Sequence, residues 1–515
     1  MRICVLLLIF TCCASVESAE ERWWEGAVFY EVFVRSFYDS DADGIGDIKG
    51  LIQKLDYLND GSPETTSDLG INALWLMPIM PSPSYHGYDV TDYRDINPDY
   101  GNLLDFGRFL EEAHSRGIKV IIDFVPNHTS NKHPWFKNSL KAHQDSYRNF
   151  YVWRDDPEGR ENWHKAQSGS YYGFFSRVMP DLNYRCSEVR RRVKNAGRFW
   201  IEEVGVDGFR LDAVKYLVEN EGEIQNTAGT FRVLKQLRKN WKSCSEDVFI
   251  IGEIWDQADV IREYTIKGCV DMGFQFPFSW ALVEDIKDRT PNKISQIIDK
   301  ACSDYSDFSF APFLSNHDQN RIFSQLSKNM AEMKLAAAVL LTSPGTPFIY
   351  YGEEIGMTGT KPDPEIRKPM QWSAGQNAGF TKGLPWKKPN ENFNQFNVEK
   401  METDEHSLLN WYKKLIRLRN QSQSLRCGDF KLLNSDADPI LAFQRRWEDE
   451  IIAVVHNFSE NKSSVNGIKI IGRNRKSKVC FEKLLGRSLK IKTDSLVISG
   501  IAKPHSTEIF RITAY

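Results

Sequence analysis

Net charge is nearly absent from this sequence. Across 515 residues, 66 Lys and Arg face 69 Asp and Glu, a formal balance of −3. A field that weak disfavours nucleic acid and acidic membrane surfaces as primary partners. Past the first residues there is also no long apolar run. The stretch 335–341 is apolar, but charge and a Pro-Gly break bound it, so no membrane span is expected after the leader. No cysteines stand at metal-ligand spacing, which argues against a zinc site. Internal repeats and low-complexity segments are missing as well. What is present is globular: 41% hydrophobic and 26% charged residues, in a chain long enough for two or three domains. Aromatics reach 12%, with 14 Trp, as suits large cores or sugar platforms.

The chain opens on Met1 and Arg2, then an apolar stretch over 3–14, then small residues with Val16 and Ser18 at −3/−1 spacing. Residues 1–19 are therefore expected to be a cleaved secretory signal, leaving a secreted protein. The apolar part is about 12 residues, short of the roughly 20 that span a bilayer. Cys4, Cys12 and Cys13 would leave with it. Cys186, Cys244, Cys269, Cys302, Cys427 and Cys480 remain, and their pairing stays open. Asn420, Asn457 and Asn461 head N-x-S sequons, the acceptor pattern of a glycoprotein.

Apolar strands are expected at 28–37, 73–79, 119–126, 208–214, 248–255, 310–314 and 347–351, with an eighth near 272–278. Helical patterns lie between them, at 104–116, 188–203, 230–241 and 329–341. Strands that are apolar on both faces and alternate with helices imply a parallel sheet buried on both sides. Eight such units make an α/β fold of the (β/α)8 TIM-barrel type. The segment 129–183 is too long for a bare loop and reads as an inserted subdomain after strand three. After 424 the pattern changes to short alternating strands, at 440–445, 451–456, 468–471, 495–498 and 508–512. The expected layout is a barrel over 20–128 and 184–424, an insert over 129–183 and an antiparallel β-sandwich domain over 425–515.

Chemistry in such a barrel sits at the carboxyl ends of the strands. Here those ends carry Asp123 to His128, Arg210 to Asp212, Glu253 to Trp255, and Asn316 to Asp318. A single polar end is ordinary. Four, each with a carboxyl and two with histidine, imply a shared site, because buried charge is expensive without a use. Acids converging on one rim suit glycoside hydrolysis, in which one carboxyl protonates the leaving oxygen and a second attacks the anomeric carbon. Arg210 lies two residues before Asp212, so both face the same way along a strand, and its charge favours an ionised nucleophile. Glu253 is flanked by Ile254 and Trp255, the apolar setting that an acid needs.

These stretches resemble the α-amylase family, glycoside hydrolase family 13. The resemblance rests on DFVPNH from Asp123, GFRLDAVKY from Gly208, GEIW from Gly252, FLSNHD from Phe313, and MPDLN from Met179 closing the insert. It implies Asp212 as nucleophile, Glu253 as general acid/base and Asp318 as transition-state stabiliser. It implies Arg210, His128 and His317 around the cleaved sugar, with Tyr88 stacking there and His86 beside it. Lys215 resembles the lysine that endo-acting members use beyond the cut.

From Asp39 to Asp47, acidic oxygens alternate around Gly44, a spacing that suits calcium. Position twelve is Gly50 rather than Glu, so this is no EF-hand. It is similar to the family's calcium loop after strand one, which implies Asp39, Asp41, Asp43 and Asp47 by side chain and Ile45 by its carbonyl, holding one structural Ca2+. Many family members hold a second calcium between barrel and insert, using an Asn and a His. Asn127 is present but Tyr216 takes the place of the His, so that site is not expected, and Asn127 is assigned a structural hydrogen-bonding role.

Exo-acting relatives carry Asp three residues before the stacking tyrosine, where this chain has Tyr85. That favours an α-amylase cutting α-1,4-glucosidic bonds inside α-glucans and maltooligosaccharides; a monomer is expected. The stretch from Arg367 to Trp372 is instead similar to α-glucosidases, which keeps an exo-acting α-glucosidase or oligo-1,6-glucosidase as the alternative. A non-catalytic amylase-like scaffold is the rival from another class. It is disfavoured because all three acids, both histidines and Arg210 are retained. Trp135, Trp153, Trp163 and Tyr172 of the insert are expected to pack rather than stack on sugar.

Overall fold

A computed structural model describes residues 22–141, 147–155, 161–220, 222–305, 307–471, 479–492 and 495–514. The expected leader and its three cysteines lie outside the described residues. No helix among those described is long and apolar enough to cross a membrane.

Seven parallel strands form one curled sheet, interrupted in sequence by the insert. They begin with β1 (Phe29–Val32), β2 (Ala73–Leu76) and β3 (Lys119–Phe124). The insert supplies its own small antiparallel sheet of β4 (Trp153–Arg154), β5 (Trp163–Ala166) and β6 (Gly169–Tyr172), in the order β4-β6-β5. The barrel resumes with β7 (Gly208–Leu211), β8 (Phe249–Gly252), β9 (Met272–Gly273) and β10 (Phe348–Tyr350). Around the sheet the order is β10-β1-β2-β3-β7-β8-β9. Single parallel bridges, Phe274 to Ala311 and Phe313 to Phe348, close the ring where the strand at 310–314 was expected. Pro312 interrupts that stretch. It has no N–H to donate, though its carbonyl still accepts from Phe348 N at 3.0 Å. The expected strand at 272–278 is also cut short, because Pro277 starts the helix Phe276–Asp288. Likewise β1 ends at Val32, and the helix Val34–Phe37 occupies the rest of its expected range.

The interior of the barrel is a separate apolar cluster. Trp24, Phe29, Trp75, Phe249, Phe274 and Phe348 dominate it, with Phe29 stacked on Phe348 at 4.3 Å. Alternate strand residues such as Tyr30, Leu74, Ile122, Phe209 and Ile250 face outward into the larger core under the helices. Gly208 is required on the inner side: a Cβ there would lie 2.0 Å from the Phe249 carbonyl oxygen.

The C-terminal region has two antiparallel sheets. β11 (Asp429–Leu432), β12 (Ile440–Trp447) and β13 (Glu450–Asn457) precede β14 (Ser463–Lys469), β15 (Val479–Leu485), β16 (Leu489–Lys492), β17 (Val497–Ala502) and β18 (Thr507–Ala514). One sheet runs β11-β12-β13-β18-β15 and the other β14-β17-β16. Strands β11, β15 and β16 have no counterpart among those expected. Ile440, Ala453, Val465, Ile498 and Phe510 fill the space between the sheets. The helix Gln423–Cys427 lies across the expected junction at 424/425. Asn457, one expected glycan acceptor, is fully buried, and its amide donates to the carbonyls of Asn461 and Lys503. Cys186, Cys244, Cys269, Cys302 and Cys480 form no disulfide.

Candidate active site

Strand parity carries polar residues onto the inner wall above the aromatic plug. Residues two apart on a strand face the same side. Glu31 thus follows Phe29, Asp123 follows Ile121, and Arg210 follows Gly208. Arg210 is fully buried and sits at the centre of an acidic ring. Its Nη1 donates to Asp123 at 2.9 and 3.0 Å and to Asp212 Oδ1 at 2.8 Å. Its Nη2 lies 3.0 Å from Glu253 Oε2. One guanidinium therefore brackets Asp212 and Glu253, which puts their facing oxygens within about 8 Å of each other from hydrogen-bond lengths alone. A backbone contact tightens this link: Ala213 N donates to Glu253 Oε2 at 3.1 Å, from a residue held at φ +50°. A left-handed alanine directly after Asp212 is strain of the kind found at functional sites.

A second set of contacts holds Asp318. Nε2 of His317 lies 2.9 Å from Asp318 Oδ2 and 2.5 Å from the Tyr88 hydroxyl. Arg367 Nη2 donates to Asp318 Oδ1 at 2.7 Å, and its Nε to the His317 carbonyl at 2.9 Å. Tyr88 joins the two halves, because its hydroxyl donates to Asp123 Oδ2 at 3.1 Å and its ring stacks on His317 at 5.6 Å. His86 takes the Tyr88 N–H on Nδ1. His128 is buried and its Nε2 has no partner.

Asp212, Glu253, Asp318, Tyr88, His86 and His128 all line one cavity of about 700 Å³. Arg210 and His317 are buried and do not line it. Phe175, Met179, Trp255, Phe276 and Trp280 form an apolar wall, while Lys361, Asp363 and Arg367 form a charged one. The sequence reading named none of the aromatic wall as sugar-facing. Trp255, 67% exposed, followed Glu253 in plain view, but Phe276 and Trp280 come from a helix that strand-end logic does not inspect. The insert's Trp135, Trp153, Trp163 and Tyr172 are elsewhere, packed on Phe150, Tyr171 and one another. Lys215 is not on the cavity wall: it is buried, with Nζ 2.8 Å from both the Trp255 carbonyl and Asp256 Oδ2. It holds the loop that carries Trp255.

The electrostatics differ from the simple expectation that Arg210 keeps Asp212 ionised. Burial pushes Asp212 well above the usual carboxyl range, Arg210 pulls it down, and Glu253, Asp123 and Asp318 push it up again. Burial likewise raises Asp123 to about 6 against the pull of Arg210 and His317. Several acids around one cation titrate as a set. Asp318 behaves in the opposite way. Burial opposes its ionisation, but His317, Arg367 and Arg210 outweigh that and hold it far below the usual range. Burial lowers His128 to about 3, with His86 adding to the effect, so His128 is neutral and suited to hydrogen-bonding a hydroxyl.

Two oxygen clusters flank the site. In the loop after β1, carboxylate oxygens of Asp39, Asp41 and Asp43 lie within 4.8 Å of one another. Burial, then Asp41, Asp39 and Asp47, raise Asp43, a repulsion that a cation would relieve. Gly44 is at φ +94° and a Cβ on it would strike the Leu384 carbonyl. Asp47 sits beside this group, accepting from Ser40 N at 2.7 Å and capping the helix Ile48–Gln53 through Gly50 N at 2.7 Å; Ile45 N donates to Asp43 at 2.7 Å. At the junction of barrel and insert, Asn127 Oδ1, Asp181 Oδ2 and Glu219 Oε1 are buried without partners. Burial and the facing Glu219 push Asp181 well up, and burial pushes Glu219 to about 7. From the sequence no cation is expected here because of Tyr216, whose ring stacks on Phe174 at 4.1 Å. Glu219, three residues later, supplies the oxygen that Tyr216 does not, and this set fits a hard cation.

A parallel barrel with carboxyls gathered at its strand ends defines a class of protein, the barrel glycoside hydrolases. Within it, the chain belongs to the α-amylase family: the model for "Alpha amylase, catalytic domain" matches residues 31–428. The chain is 40% identical over 469 residues to "Alpha-amylase 3" of Dictyoglomus thermophilum, covering 90% of each protein. It is 33% identical over 530 residues to an oligo-1,6-glucosidase of Parageobacillus thermoglucosidasius, covering 86% of this chain and 91% of that one. Among solved structures, the α-amylase from H. orenii superposes with a TM-score of 0.84 at 38% identity, covering 95% of this chain and 99% of that one.

Proposed function

We propose that the protein is a retaining α-glucan hydrolase of the α-amylase type, cutting α-1,4 bonds with Asp212 as nucleophile and Glu253 as general acid/base. The observation that supports this is the single Arg210 guanidinium shared by both carboxyls. Asp212 attacks C1 while Glu253 gives a proton to the leaving oxygen; Glu253 then takes a proton from water, which releases the glycosyl enzyme. Asp318, about two-fifths exposed to the cavity, stabilises the oxocarbenium-like state by charge. Neutral His128 and the Tyr88 ring hold the sugar, and Trp255, Phe276 and Trp280 offer apolar faces to the rest of the glucan.

Calcium supplies charge neutralisation and rigidity in such a fold. Asp39, Asp41 and Asp43 would hold one structural ion, with Asp47 and the Ile45 carbonyl beside them. Asn127, Asp181 and Glu219 are the residues a second would use. Neither position touches the acids that do the chemistry.

Endo action is favoured by Tyr85. Its ring stacks on Trp386 at 5.4 Å and has Arg367 above it at 5.9 Å, so no carboxyl closes the cleft from that position. A second reading, an exo-acting α-glucosidase or oligo-1,6-glucosidase, is favoured by Asp363. It lies 3.2 Å from Arg367 on the charged wall, a pair able to grip a terminal glucose. Maltooligosaccharides blocked at the non-reducing end, compared with free ones, separate the readings. Endo action cleaves both; cleavage of the free series alone, or of isomaltose, replaces the first reading with the second.

A further inference from the structure

Beneath the cavity lies a carboxyl that the proposed chemistry does not use. Glu31 sits at the end of β1, 2% exposed, with Oε1 2.5 Å from Nδ1 of His317, which is itself fully buried. On the other edge of the same imidazole, Nε2 faces Asp318 Oδ2 and the Tyr88 hydroxyl. A carboxylate at each ring nitrogen needs a proton on each, because a neutral ring carries only one N–H.

We infer that Glu31 is a positioning residue: by accepting from Nδ1 it keeps His317 doubly protonated, so that Nε2–H points at Asp318 and fixes that carboxylate in the cavity.

The inference rests on the reading of Asp318 as stabiliser of the cleaved sugar. The surroundings support it from every side. Toward His317 come Asp318 from its own loop, Tyr88 with Asp123 and Arg210 behind it, and Arg367 through the backbone carbonyl. The Trp75 ring meets the imidazole edge-on at 5.5 Å. Toward Glu31, Tyr350 contributes from the end of β10 and Glu353 from just beyond it. Burial works against a charged ring, yet Asp318 and Glu31 together raise His317 to about 10. Held between two carboxylates, the ring is an imidazolium, a positive charge beside the place where the sugar acquires its own. That charge orients and ionises Asp318.

Glu31→Gln tests this, because glutamine has the same shape and accepts from Nδ1–H without demanding a charged ring. The pH profiles of kcat and KM on a maltooligosaccharide are measured for the wild type, Glu31→Gln, Asp318→Asn and the double variant. The expected result is a kcat loss of about tenfold or more with KM changed less than threefold, and an alkaline limb moved down by at least one pH unit. His317 loses its proton at lower pH once Glu31 no longer holds it. In the Asp318→Asn background the same substitution has little further effect, since the path runs through Asp318. An unchanged alkaline limb, or an equal loss in both backgrounds, overturns the inference. If Glu31→Gln does not fold, Glu31→Asp, which keeps the charge but retracts it, is read the same way and must shift the limb in the same direction. Full activity of Asp318→Asn would instead remove the reading of Asp318, an outcome distinct from failure of Glu31 alone.

Discussion

The two ends of the barrel are built from the same strands to opposite specifications. At the amino-terminal end, Trp24, Phe29, Phe249 and Phe348 fill the bore with stacked rings. At the carboxyl end, further along the strands and in the loops after them, Glu31, Asp123, Arg210, Asp212, Glu253 and Asp318 crowd at or beneath a cavity. Aromatic packing gains stability from area removed from water and from ring contacts. Buried acids that repel one another lose stability, and are tolerated where they do chemistry.

That division of labour can be broken at either end. The largest effect is expected from Asp212→Asn, which should lower kcat by at least about a thousandfold while thermal unfolding stays at the wild-type temperature or above it. Kinetics and calorimetry on one preparation check both halves, and near-normal turnover removes Asp212 as nucleophile. Phe348→Ala should do the reverse. Losing a buried ring stacked on Phe29 costs about 3–5 kcal/mol of stability, with kcat per folded molecule nearly unchanged at low temperature. A variant that unfolds normally in urea but has lost its activity would show that the plug shapes the site directly.

Away from both ends, His456 lies fully buried between Thr342 and Thr507, and burial lowers it to about 3. A histidine kept neutral in the fold binds its proton more readily when unfolded. Its contribution is therefore intact above about pH 6.5 and is lost as the pH falls toward 3. Between pH 6.5 and 5 the loss should be about 2 kcal/mol, and His456→Gln should flatten that part of the stability profile. An identical slope in the variant refutes this assignment. The smallest effect is expected at the acidic loop. A chelator should lower the unfolding temperature by several degrees, and added Ca2+ should restore it in the wild type but not in Asp43→Asn. No shift with either reagent would leave the loop as an ordinary acidic turn.

Much of the barrel could be read in advance, because near-continuous apolar strands alternating with helices leave few other folds. The weakest parts of that reading were the stretches where proline competes with strand pairing. Pro312 reduces the seventh strand to two bridges, and Pro277 turns the sixth into a helix after two residues. In the C-terminal region, β11 and β16 are short and only partly buried, and so carry little alternation to detect. At the site, strand ends pointed to the acids, Arg210 and both histidines. Lys215 came instead from the resemblance to endo-acting members, and its ammonium is turned into the Trp255 loop.

By itself, the order of residues along the chain determined the strand parity, and parity alone sends Arg210 and Asp212 to the same side as Gly208. It also determined which carboxyls were available at the strand ends. Only the tertiary structure decided which of them share one cation, because that depends on closing the ring so that β3, β7 and β8 face a common axis. It likewise decided that Glu31, far from His317 in sequence, lies 2.5 Å from its ring. Local preference acts over a few bonds, whereas the charge a group carries depends on every neighbour that folding brings to it and on the water that folding removes.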